Sequence, residues 1–301
     1  MYLFFLVLRW LALTAVSSTM LGCDSIDESA NVDSNSTVQK HNSKTSINTP
    51  PKIDTTKSTI AKRFLVPEGY KRVVVDSNSF GAYLRDLPLK PIDAPVLYYD
   101  GKEKINNGVY LSVIDLPIGK RDLHQCADAL MRFRADYLRS QKRFDEIHFN
   151  FNNGFTAYYS KWKEGYRIKY NGTNFNWVKT AEPSNSDATF WKYMEYVFAF
   201  AGTYSLAQEL DPIPLDEMEM GDVFIFGGSP GHAVMVVDLA VHQETGEKIF
   251  MLVQSYMPAQ EGQILTNPND PNLSPWYSCD FEGELLTPEW RFEDQDLKRF
   301  P

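Results

Sequence analysis

Cys126 and His232 are the residue types from which a covalent catalyst is built, and Gln254 has the chemistry to orient one of them. A cysteine attacks as its thiolate, and an ordinary thiol with a pKa of about 8.5 stays mostly protonated near neutral pH. The unpaired N–H groups and dipole of a helix start favour the anion. A neighbouring imidazole takes the thiol proton and later protonates the leaving group. The run Gln125-Cys126-Ala127-Asp128 opens a segment in which Cys126, Leu130, Phe133 and Tyr137 recur at three- and four-residue spacing, with Leu138 widening the stripe. That spacing predicts a helix with Asp122 as its N-cap and Cys126 within about a turn of its start.

His232 follows the turn Gly227-Gly228-Ser229-Pro230-Gly231 and begins a strand. Val234, Val236 and Asp238 alternate onto its face, but Asp238 is about 20 Å along the strand and too distant to hold the ring. The next strand supplies Gln254 and Ser255. The amide oxygen of Gln254 can accept a ring proton and fix the tautomer. Ser255 is the alternative orienting residue, because a one-residue change of register exchanges the two faces.

Plainer roles compete for the same residues. A cysteine on a buried helix face reads equally well as an inert core residue. A disulfide between Cys126 and Cys279 would abolish any nucleophile. Asp122, His124, His148 and His242 lack the two- or three-residue spacing of a metal site, so neither metal nor cofactor is expected. The stretch Phe144 to Tyr170 is rich in aromatics and asparagine. It reads either as an insertion covering the core or as a surface on which Tyr158, Tyr159 and Trp162 contact a glycan or peptidoglycan ligand. The second reading would make the chain a binding lipoprotein without catalysis, or a scaffold.

The elements that must position these residues form one domain from residue 63 to 301. Val96 to Tyr99 and Val109 to Ile114 predict strands, followed by the cysteine helix. A second helix is predicted from Asp187 to Leu210, ended by Pro212 and Pro214. Asp222 to Phe226, His232 to Val241 and Ile249 to Tyr256 then predict an antiparallel meander. Helices followed by such a sheet give an α+β fold class. The proline-rich remainder reads as an extended segment packed over the domain. A composition that is 43% hydrophobic and 14% aromatic supports a substantial core. The net charge of -9, without a basic cluster, argues against nucleic acid as a partner.

Gly221-Asp222-Val223-Phe224-Ile225-Phe226 and Gly231-His232-Ala233-Val234-Met235-Val236-Val237 resemble the histidine region of papain-like cell-wall amidases and endopeptidases. Gln125-Cys126-Ala127-Asp128 resembles their cysteine block. The resemblance implies a papain-like core of N-terminal helices with an antiparallel sheet. It also implies a cofactor-free cysteine hydrolase cutting amide or peptide bonds of peptidoglycan, with Cys126 as nucleophile, His232 as base and Gln254 as third residue. Over the longer span from Phe64 to Trp290 the chain resembles Bacteroides-type lipoproteins of unknown function. That likeness is carried by Asp145-Glu146-Ile147-His148-Phe149-Asn150-Phe151 and Gln254-Ser255-Tyr256-Met257-Pro258-Ala259-Gln260.

The N-terminal region fits that setting. Apolar runs Tyr2 to Leu8 and Trp10 to Val16 precede Ser17-Ser18-Thr19-Met20-Leu21-Gly22-Cys23, which resembles a bacterial lipoprotein signal. Residues 1–22 are expected to be removed, leaving Cys23 joined to membrane lipid and the protein lipid-anchored in the bacterial cell envelope. Residues 23–62, dominated by Ser, Thr, Asn, Asp and Lys, are expected to form a disordered tether.

Overall fold

The computed structural model describes residues 50–281 and 283–301. The signal-like segment, Cys23 and the tether as far as residue 49 lie outside the described residues. The rest of the expected tether is folded: Ile53 bridges to Phe64, Ile60 is fully buried, and a short helix spans Ile60–Arg63. The ordered chain therefore starts upstream of Arg63.

The expected papain-like α+β core does not form. The described chain is mostly antiparallel sheet with few helices, and a nine-stranded sheet dominates it. Its main path runs Tyr110–Val113, Gln263–Leu265, Lys248–Gln254, His232–His242, Val223–Phe226, Leu297–Arg299 and Asp211–Pro212. Off this path, Tyr70–Arg72 pairs with His232–His242 and Trp276–Ser278 with Lys248–Gln254. Strands from both ends of the domain thus enter one sheet. The segment after Tyr256, expected to lie over the domain, supplies three of them. Tyr110–Val113 pairs with Gln263–Leu265 rather than closing a local hairpin.

Both faces of the sheet are covered, which explains why His232–His242 is almost continuously buried instead of alternating. One face carries Ala233, Met235, Val237 and Ala240 against the cysteine helix; the other carries Val234, Val236 and Leu239 with Phe224, Leu252 and Phe292. The alternation changes phase because the register with Lys248–Gln254 slips, from Met251 opposite Asp238 to Leu252 opposite Val236. That bulge turns Asp238 off the face it was expected to share with His232. Asp238 is fully buried and accepts from Arg72 and Arg85, each at 2.6 Å.

The cysteine helix spans Cys126–Ser140 and buries Leu130, Phe133, Tyr137 and Leu138 as its spacing predicts. Each large apolar side chain removed from water contributes roughly 2 kcal/mol. Its N-cap is Gln125, not Asp122, and the Gln125 backbone N–H donates to the Asp128 carboxylate at 3.0 Å. Asp122 instead accepts from Gln125 Nε2 at 3.1 Å and from the Ala259 backbone N–H at 2.7 Å. The second predicted helix is two, Asp187–Phe200 and Thr203–Glu209, interrupted where Ala201 turns extended.

Candidate active site

Cys126 is the first residue of its helix. The chain entering that helix is laced to the segment leaving the Lys248–Gln254 strand. Besides the Asp122 contact with Ala259, the Ser255 hydroxyl lies 3.0 Å from the His124 carbonyl oxygen and 2.7 Å from that of Gln260. Ser255 is thereby committed to backbone and does not orient His232. The cysteine lies close to the histidine strand, near enough to the backbone N–H of Ala233, one residue past His232, for that group to favour its thiolate.

His232 opens its strand after a turn that only glycine fits at residue 231. A Cβ there would strike Thr203 Oγ1 and lie 2.6 Å from the Gly228 carbonyl oxygen. The His232 ring nitrogen Nε2 is 2.9 Å from Gln254 Oε1. Tyr256 covers the ring with centroids 4.7 Å apart, and Trp290 approaches to 5.5 Å. Among the described residues no hydrogen bond joins the Cys126 thiol to the imidazole. What links them is sequence: the backbone N–H that lowers the cost of the Cys126 thiolate belongs to the residue after His232.

Sequence reading missed the outer partners of this group. Gln254 Nε2 donates to Glu289 Oε2 at 2.6 Å, and Lys104 Nζ reaches the same oxygen at 2.6 Å. Lys104 also sits 5.6 Å above the Tyr256 ring. Neither residue carries a local signal, since each comes from a loop far from the others in sequence.

The electrostatics differ from the thiolate expected of a helix start. Burial, followed by the Asp128 charge, pushes the Cys126 thiol up to about 11. The N–H groups of Ala127, Ala233 and Cys126 itself pull the other way and are outweighed. Burial lowers His232 to about 4, with Gln254 opposing and the Lys104 charge adding to the fall. The resting pair is a neutral thiol beside a neutral imidazole. Cys126 and Cys279 are both free thiols.

The aromatic stretch splits in two. Tyr159 and Trp162 are core residues: Tyr159 donates its hydroxyl to Asn185 Oδ1 at 2.6 Å, and Trp162 donates its indole N–H to the Thr189 carbonyl at 3.1 Å. Buried against the Asp187–Phe200 helix, they do not meet a ligand from solution. Tyr158 is 37% exposed, with Lys161 above its ring.

A groove of about 690 Å³ lies elsewhere, walled by Val73, Phe80, Arg134, Met220 and Phe300 among others. None of Cys126, His232 or Gln254 lines it, and its Arg299 is already held by Asp222 at 2.7 and 2.8 Å. Among the described residues no three His, Cys, Asp or Glu side chains group to hold a metal ion. No helix among them is long and apolar enough to cross a membrane.

A family model described as a domain of unknown function (4846) matches residues 60–299, taking in every residue of this site. The chain belongs to that family. Neither a curated protein nor a solved structure gives a match. The family domain begins at Ile60, the first residue of the short helix that opens ahead of Arg63.

Proposed function

We propose that the domain is a cysteine hydrolase cutting amide or peptide bonds of cell-envelope peptidoglycan, with Cys126 as nucleophile, His232 as base and Gln254 holding the imidazole. One observation carries the reading. A histidine tethered through Nε2 to a buried amide oxygen stands at the strand end where a helix-start thiol meets the backbone of the next residue. The substrate class comes from the likeness of the Gly-Asp and Gly-His blocks to cell-wall amidases.

The neutral resting pair dictates the order of events. His232 Nδ1, the ring nitrogen not engaged by Gln254, takes the thiol proton as Sγ attacks the carbonyl carbon. The tetrahedral oxyanion is received by the backbone N–H of Cys126 at the helix start. Collapse breaks the C–N bond, and the imidazolium returns its proton to the departing amine. Water then attacks the thioester with His232 again as base, releasing the carboxylate and restoring the thiol.

We place this activity at the envelope surface through a lipid on Cys23; a mature chain whose intact mass retains residues 1–22 would refute that placement. Digestion of purified peptidoglycan tests the activity. Wild type is expected to release new amine and carboxyl ends and C126A none, whereas equal release by C126A would overturn the assignment.

A further inference from the structure

We infer that Glu289 is a positioning residue that sets the tautomer of His232 by fixing which way the Gln254 side-chain amide points. The value of this to catalysis rests on the hydrolase reading; the tautomer itself does not. A side-chain amide offers a donor end and an acceptor end of nearly equal shape, and its neighbours decide between them. Glu289, ion-paired with Lys104 at 2.6 Å, presents a carboxylate, which only accepts. Its Oε2, 2.6 Å from Gln254, therefore demands the amide N–H₂. That leaves Gln254 Oε1 facing His232 Nε2 at 2.9 Å. An amide oxygen accepts only, so Nε2 carries the ring proton. In a neutral imidazole the lone pair then lies on Nδ1, where it can take a proton from a thiol.

The opposite orientation disables the base. With the amide reversed, its N–H₂ would face Nε2, the ring proton would move to Nδ1, and Nδ1 could no longer accept. Lys104 makes the dependence on Glu289 sharper. Without the carboxylate, the nearest charged group to the outer end of Gln254 is a donor, and it draws the amide oxygen outward. Gln254 is fully buried and Lys104 nearly so, so bulk water does not substitute freely for the missing acceptor. A single carboxylate from the loop before Trp290 thus selects, two hydrogen bonds away, between a basic and a non-basic Nδ1.

The test is nitrogen NMR of the ring of His232 in the full domain at neutral pH, with alkylation of Cys126 as a second readout. Wild type is expected to show a protonated Nε2 and an unprotonated Nδ1. E289A should move the proton to Nδ1 and slow peptidoglycan cleavage by about 100-fold, within the range of a lost general base. Should E289A fail to fold, the exchange K104E/E289K keeps an ion pair while presenting a donor to Gln254, and it should show the Nδ1–H form. A wild type with Nδ1 protonated overturns the proposal, as does an unchanged Nε2–H in a folded variant. If the tautomer follows Glu289 but wild type cleaves nothing, the positioning role stands and the hydrolase reading falls.

Discussion

Asp128 Oδ2 accepts the Gln125 backbone N–H at 3.0 Å, so the carboxylate that caps the cysteine helix belongs to the residue two positions after Cys126. The same group that starts the helix opposes the anion that a helix start would favour. Its own pKa is raised well above the usual carboxylate range by burial. Its charge adds to the cost that burial places on the Cys126 thiolate.

D128N separates these two effects. Asparagine retains an oxygen to accept from Gln125, so the cap survives, while the charge is gone. The thiolate titration midpoint of Cys126 is expected to fall below that of wild type, and alkylation on the alkaline side to speed up. An unchanged midpoint would show that Asp128 does not act on the sulfur.

Acid sensitivity follows from two buried histidines. His232 is lowered to about 4 and His124 to about 3, both first by burial. Each binds a proton in the unfolded chain below about 6.5 but stays neutral in the fold. Stability is therefore complete above pH 6.5 and falls as the pH drops toward 4. Each ring should cost about 2 kcal/mol between pH 7 and 5. Urea unfolding at both pH values measures it, and H124N or H232N should each remove its own share of the loss. Equal acid losses in wild type and both variants would contradict the assignment.

Asp238 is a structural prediction with no role in the chemistry. Its removal leaves the Arg72 and Arg85 guanidiniums, each 2.6 Å from its carboxylate, without a counter-charge, with only the backbone carbonyls of Phe64, Val73 and Leu239 to accept from them. D238A should destabilise the domain by about 3 kcal/mol, the scale of breaking a buried ion pair. The urea midpoint should fall with its slope unchanged; a variant as stable as wild type would sink this account of the bulge.

The cysteine helix could be read from sequence because its apolar residues recur with a local period, although the fold buries more than that stripe, Met131, Arg132 and Ala135 included. The meeting of His232 with Gln254 was legible as two residues near the same end of adjacent strands. The fold was not, because pairings such as Ile264 with Ser112 join segments that share no local pattern. The cap was misread because Asp122 and Gln125 both precede the helix, and only tertiary structure commits Asp122 to Ala259. Tyr159 and Trp162 look like surface rings in a polar stretch, yet each hides its polar atom in a hydrogen bond to the core. Glu289 and Lys104 had no signal at all, since a lone acidic and a lone basic residue acquire a role only when folding brings both to Gln254.

The central claim is that Cys126 forms a covalent acyl intermediate, and intact-mass spectrometry of protein quenched in acid during turnover measures that directly. With a peptidoglycan stem peptide in excess, wild type should gain the mass of the acyl fragment, mapped by digestion to Cys126. H232A should carry little or no adduct, because no base removes the thiol proton, and C126A should carry none. An adduct on another residue, or peptide cleavage by C126A at the wild-type rate, would contradict the account.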